Sequence, residues 1–229
     1  MTPARHISVL GHAARVLEGI QREGYSVISE PIDDQTFVEL GCALGEIVDD
    51  VIVKIVPGER AYLARRDPMP FHTDHPIADI VAWRCESQDE RDGASLLVDG
   101  YAALEALGAR LRSRLERIRL VPPSPSDGEV EPTPILSADH KRIFFAPWLR
   151  PIDASREALL TLAAFREVIE QAPHALERRL GPGQALFIDN HRMMHGRDAL
   201  SSDSTRKLRR LWLHNPGSAA TEVGVLEQP

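Results

Sequence analysis

The sequence predicts a mixed α/β chain with a mainly β core, a double-stranded β-helix (jelly roll, cupin-like) flanked by helices. Two observations carry that prediction. Short β-branched or apolar runs closed by glycine or proline recur along the chain, roughly seven or eight of them, interleaved with roughly three or four stretches of helical apolar spacing. These strands are scattered, so strands far apart in sequence must pair, as in a two-layer β fold. A length of 229 residues fits one domain, 1–229, with helix and strand elements over about 1–60 and the jelly-roll core over about 60–215.

The elements follow in order. "LGHAARVLEGIQREG" spaces its apolar residues as a helix and stops at Gly24, and "YSVISEP" is a short strand ended by Pro31. "DDQTFVELGCALGEI" is a helix capped by Asp33 or Asp34, and "DVIVKIVPG" a strand closed by Pro57 and Gly58. "ADIVAWRCE" and "GASLLVDG" are strands, and "YAALEALGARLRSRLERI" is an amphipathic helix. "VPPSPSDGEVEPTPILS", residues 121–137, is the long irregular segment, suited to disorder or to a lid over a site. "KRIFFAPW" reads as a strand, "SREALLTLAAFREVIEQ" as a helix, and "GPGQALFIDNHRMMHGR" opens as a buried strand. "RKLRRLWLHN" is the last strand.

Charge and composition exclude some functions. Lys plus Arg number 27 against 34 Asp plus Glu, a net charge of −7, which argues against a nucleic-acid or membrane-surface partner. No apolar run approaches the ~20 residues that span a bilayer. The N-terminus lacks a signal-peptide apolar region and carries Glu18 and Glu23, against a transit peptide. Cys42 and Cys85 form no disulfide framework and no CxxC pair, and both read as small core residues of a reducing compartment. The expectation is a cytoplasmic protein, and a homo-oligomer is compatible with it.

Chemistry concentrates in "PFHTDHP", residues 70–76. In an extended segment residues i and i+2 share a face, so His72 and Asp74 present an imidazole and a carboxylate side by side. "DNHRMMHGR" offers His191 and His195 for a third position. Two histidines and one carboxylate on one face of an ion leave the opposite positions open, the arrangement of non-haem Fe(II) oxygenases. An HxD pair by itself is more often a hydrogen-bonded loop pair. Reading "HRMMH" as a helical zinc-peptidase motif fails, because Arg192 stands where the general-base glutamate belongs.

Taken together, "FHTDHP", "DGAS" and "GQALFIDNHRMMHGRDALSSDSTRKLRRLWL" resemble the taurine dioxygenase and clavaminate synthase-like group of Fe(II)/2-oxoglutarate oxygenases. That group carries HxD or HxE, a small hydroxylated residue about two dozen positions later, a distal histidine often followed by Gly-Arg, and then an arginine. The matching positions are His72 and Asp74, Ser95, His195 with Gly196 and Arg197, and Arg206 with Arg210, and the likeness runs from about residue 60 to 213.

The resemblance implies that His72, Asp74 and His195 bind Fe(II) and are the catalytic residues. It implies 2-oxoglutarate and dioxygen as co-substrates, with the far carboxylate of 2-oxoglutarate held by Arg206, helped by Ser95; a guanidinium offers the two-pronged, charge-matched partner this needs. Arg210, four residues on and on the same face, would hold an acidic group of the prime substrate. Arg209 points to the other face. The implied reaction is hydroxylation, with desaturation or cyclisation as variants, at an unactivated C–H bond of a small polar metabolite, an amino acid or amino-acid-derived carboxylate, coupled to decarboxylation of 2-oxoglutarate to succinate. His191 is expected to be structural or adjacent to the ligands, and Trp148, Phe144 and Tyr62 to be core. Only 120 residues separate Asp74 from His195, which implies a short lid or one supplied by a partner subunit. Two other classes stay open: a metal-dependent cupin-like hydrolase or isomerase, and a non-catalytic metal-binding jelly roll.

Overall fold

The computed structural model describes residues 3–56, 65–122 and 131–215. The first quarter is helix, strand, helix, strand, as expected: α1 (Pro3–Glu23), β1 (Tyr25–Ile28), α2 (Asp34–Leu44) and β2 (Glu46–Lys54). Helix α1 ends because Gly24 takes φ +81, a left-handed conformation that glycine adopts without a Cβ clash. Asp33 caps α2, its carboxylate accepting from the Thr36 N–H at 2.7 Å. On α2 the buried residues are Phe37, Leu40, Gly41 and Leu44, one helical stripe. Cys42 lies off that stripe and is exposed, whereas Cys85 is buried in the core as expected.

The remaining elements are β3 (Met69–His72), β4 (Ile80–Ser87), β5 (Ser95–Asp99), α3 (Gly100–Leu107), α4 (Ala109–Leu115), β6 (Arg119–Leu120), β7 (Thr133–Pro134), α5 (Arg156–Gln171), β8 (Leu176–Arg178), β9 (Ala185–Asp189), β10 (Met193–Arg197) and β11 (Lys207–His214). They form a five-stranded sheet in the order β1-β9-β4-β11-β2 and a four-stranded sheet in the order β3-β10-β5-β8. Pairing within both is antiparallel. This is the jelly-roll arrangement of two antiparallel sheets flanked by helices that the strand pattern predicts.

Side-chain alternation along the strands builds the layers. On β4, Val81, Trp83 and Cys85 join Leu97, Leu186, Ile188 and Leu208 in the core between the sheets. Its other face, Ile80 and Ala82, packs with Phe187, Leu211 and Leu213 against Val16 of α1 and Phe37 and Leu40 of α2. Behind the smaller sheet, α3, α4 and α5 pack through Leu104, Leu115 and Phe165 with Val98 and Met194.

Two expected elements differ. The helix over 101–118 is two helices, broken where Gly108 takes φ +80 and ψ 153. "KRIFFAPW" is not a ladder strand. Its donors go to separate places: Ile143 N–H to the His191 carbonyl, Phe144 N–H to that of Ile135, and Phe145 N–H to the Thr73 hydroxyl. Its apolar side chains, Ile143, Phe144 and Phe145, fill the core behind the smaller sheet, so burial without repeated pairing produced the strand-like pattern. Within 121–137, Thr133–Pro134 pairs with Arg119–Leu120, while 123–130 lies outside the described residues, as do Pro57, Gly58 and Tyr62. Among the described residues no helix is long and apolar enough to cross a membrane.

Candidate metal centre

His72 closes β3 and His195 sits mid-strand on β10, and the antiparallel register pairs these two residues directly. Their rings are 4.1 Å apart, centroid to centroid. Asp74 follows two residues after His72, in a loop held from both sides. On one side the Thr73 N–H donates to the Phe145 carbonyl at 2.8 Å. On the other, Asn190, fully buried in the turn before β10, accepts from the Asp74 N–H at 2.8 Å and donates to the Ala78 carbonyl at 2.9 Å. The loop therefore returns the Asp74 carboxylate to the histidines. Its Oδ1 lies 3.8 Å from His72 Nε2 and its Oδ2 3.9 Å from His195 Nε2. One ligand atom from each of the three residues falls within 4.8 Å of the others.

The protonation states suit metal binding. Burial pushes the His72 imidazole down from its ordinary value, and burial followed by the neighbouring His72 pushes His195 down to about 3. Both rings are thus neutral near pH 7, the form that ligates. His72 Nδ1 lies 2.9 Å from the Pro70 carbonyl, which places the ring proton on that nitrogen and leaves Nε2 with its lone pair facing Asp74. Burial raises Asp74, but Arg210, His195, His72 and the Trp212 indole together hold it below the usual carboxylate range. Two neutral imidazoles and one ionised carboxylate on one side of a buried point fit a divalent iron with open positions opposite. Trp148, expected in the core, lies against His72 with a ring separation of 4.7 Å, and Trp83 meets the edge of His195 at 4.9 Å.

Ser95, Arg206 and Arg210 line one pocket with Asp74 and His195, walled by Trp83, Leu97 and Leu208. The two arginines differ in their partners. Arg206 is buried, with Nε donating to Gln88 Oε1 at 3.0 Å and Nη2 to Ser95 Oγ at 3.5 Å. Burial, and then the nearby Arg197, bring its pKa down to about 10. No ion pair to Arg206 is present among the described residues. Arg210 is buried too, but its Nη2 donates to Asp49 Oδ2 at 2.9 Å and its Nη1 to Asp74 Oδ2 at 3.3 Å. Arg209 points outward, bonded to Asp50 and Asp34, as its position in the strand predicts.

His191 stays out of this cluster. Its Nε2 meets Asp79 Oδ1 at 3.0 Å, beside Arg142 and His214, which bond the same carboxylate. Sequence reasoning did not single out Trp212, Asn190, Gln88 or Asp49. The step of two from Arg210 to Trp212 would have placed that indole on the ligand face. Asp49, Asn190 and Gln88 carry no signal in one sequence, because each meets its partner through strand pairing or a turn.

The residues match the family described as taurine catabolism dioxygenase TauD, TfdA family over positions 8–212. A gamma-butyrobetaine dioxygenase of Pseudomonas sp. (strain AK-1) is 27% identical over 176 residues, 69% of this chain, and the chain spans 45% of that relative's length. Among solved structures, asparagine oxygenase with Fe(II), 2S,3S-3-hydroxyasparagine and succinate superposes with a TM-score of 0.74 at 18% identity, over 90% of this chain and 79% of that one. The non-heme iron oxygenase OrfP with Fe and alpha-ketoglutaric acid superposes at 0.67, also at 18% identity, over 89% and 79%. Both share the two-sheet fold seen here. Matched from within α1 into the last strand, and with its histidines and carboxylate converged, the chain belongs to the taurine catabolism dioxygenase TauD, TfdA family.

Proposed function

We propose that this protein is an Fe(II)- and 2-oxoglutarate-dependent dioxygenase that hydroxylates an unactivated C–H bond of a small polar metabolite, an amino acid or amino-acid-derived carboxylate. One observation carries the reading. A two-histidine, one-carboxylate cluster shares its pocket with a buried guanidinium whose hydrogen-bond partners, among the described residues, are neutral. A buried charge without a counter-charge is costly, so the pocket is suited to an anion at that end and a metal at the other.

In this reading His72, Asp74 and His195 hold the iron, which would supply dioxygen activation coupled to decarboxylation of the 2-oxo acid. Arg206 fixes the far carboxylate of 2-oxoglutarate with Ser95 beside it, and Trp83, Leu97 and Leu208 keep water from the chain between the two ends. Trp212 and Arg210 hold the Asp74 carboxylate in place. Arg210 also faces the substrate side, where an acidic group of the substrate would exchange with Asp49. The two thiols, free in the structure, accord with a cytoplasmic enzyme.

The test is an anaerobic titration with Fe(II) and then 2-oxoglutarate, watching for the weak visible charge-transfer band of the chelate. The band is expected in the wild type and absent when His72, Asp74 or His195 is changed to Ala. A protein that binds zinc or manganese but forms no 2-oxoglutarate chelate would instead be a hydrolase, an isomerase or a silent metal-binding jelly roll.

A further inference from the structure

We infer that Gln88 is a positioning residue for the co-substrate, holding the Arg206 guanidinium through a neutral contact so that its charge is left for the far carboxylate of a 2-oxo acid. The inference rests on the 2-oxoglutarate reading above and extends it to a residue outside the pocket lining.

The geometry defines which way the Gln88 amide faces. Its Nε2 donates to the Asp92 carbonyl at 2.8 Å, with the Asp89 and Gly93 carbonyls each at 3.5 Å. Only the oxygen is then left to face Arg206, where it accepts from Nε at 3.0 Å. Pinning Nε restricts rotation of the planar guanidinium and leaves the two terminal nitrogens, the fork that grips a carboxylate, for Ser95 and a ligand.

The same loop grips the other side of Arg206. Asp89 bonds the Ser204 hydroxyl and the Thr205 N–H, and the Ser204 hydroxyl in turn accepts from the Arg206 N–H at 3.3 Å. Gly93, at φ +67, leaves room for the arginine stem, since a Cβ there would lie 3.0 Å from Arg206 Cδ and 2.4 Å from Leu200 Cδ2. The loop between β4 and β5 therefore sets the position of Arg206, and Gln88 sets its orientation.

An amide suits this place and a carboxylate does not. A glutamate would lose the donor to Asp92 and would bring a full negative charge to Arg206, satisfying the guanidinium internally. Arg210 shows that alternative in the same pocket, with carboxylates of Asp49 and Asp74 as its partners. One arginine is kept short of negative charge and the other is supplied with it.

The experiment compares two 2-oxo acids that chelate iron through the same atoms. 2-Oxoglutarate has the far carboxylate, and 2-oxopentanoate has a methyl group there. Each is titrated anaerobically into Fe(II)-loaded wild type, Gln88→Ala and Gln88→Glu, reading the chelate band. Gln88→Ala is expected to weaken 2-oxoglutarate about tenfold and to leave 2-oxopentanoate unchanged, because only the former reaches Arg206. Gln88→Glu should weaken 2-oxoglutarate at least as much, and as a near-isosteric change it serves should the alanine variant fail to fold. Equal loss for both acids would reduce Gln88 to a structural residue and overturn the inference. So would wild-type affinity for 2-oxoglutarate in both variants. A wild type that chelates neither acid would remove the oxygenase reading itself, a result distinct from a variant-specific one.

Discussion

The indole N–H of Trp212 donates to Oδ2 of Asp74 across 2.8 Å, while the Arg210 guanidinium lies over the same indole, 4.4 Å from the ring centroid. Trp212 thereby fixes the candidate ligand carboxylate directly, and also the arginine that touches that carboxylate. Partners of this kind, bonded to a ligand and not to the metal, set the ligand's orientation.

Trp212→Phe keeps an aromatic face beneath Arg210 and removes the N–H. Affinity for Fe(II), or for Mn(II) as an oxygen-stable substitute, should fall about 10- to 100-fold with the fold intact. Competition against a calibrated chelator reads this directly. Unchanged affinity would mean that Arg210 alone holds Asp74.

The two arginines of β11 and its approach should separate in a 2-oxoglutarate titration. Arg206→Lys keeps the charge but loses the planar fork, costing on the order of 2 to 5 kcal/mol and weakening 2-oxoglutarate by a factor of tens or more. Arg210→Lys should leave that affinity nearly unchanged and instead produce succinate without oxidised product. The reverse pattern would exchange their roles.

Acid should destabilise the metal-free protein through its histidines. An unfolded imidazole takes up a proton below 6.5, whereas the folded His195 does so only near 3, and His72 is shifted in the same direction. Between those values the unfolded state binds more protons, so stability is fully present above 6.5 and falls as pH drops through the window. Urea midpoints of chelator-treated protein from neutral to about pH 4 would record the decline. His195→Gln should flatten it.

Gly196 lies where β10 passes β3, and a Cβ built there would be 2.8 Å from the Met69 carbonyl oxygen and 3.3 Å from the Phe71 ring. Gly196→Ala should push apart the two strands that carry His195 and His72. The expected result is a loss of about 1 to 3 kcal/mol in thermal or urea unfolding, together with weakened metal binding. Retained metal affinity at reduced stability would show that the strands yield without moving the ligands.

Much of the molecule is local in origin and could be read from residue order. Period-two alternation separates Arg209 from Arg210 on β11, because adjacent side chains on a strand take opposite faces, and the HxD spacing marked His72 and Asp74 as neighbours in sequence. The Asp33 cap, the stop at Gly24 and the apolar stripes of α2 and α5 depend on neighbours within a turn or two, so they too were legible. What required the tertiary structure were relationships between residues a hundred or more positions apart. The pairing of β3 with β10 brings His195 to His72, Asn190 closes the loop that returns Asp74, and strand pairing sets Asp49 against Arg210. "KRIFFAPW" marks the boundary: its burial was visible in composition, but its hydrogen-bond partners lie on three separate segments, and no local pattern encodes where a backbone donor finds its acceptor. The same holds for the partners of the two arginines, since folding brings an amide to Arg206 and carboxylates to Arg210.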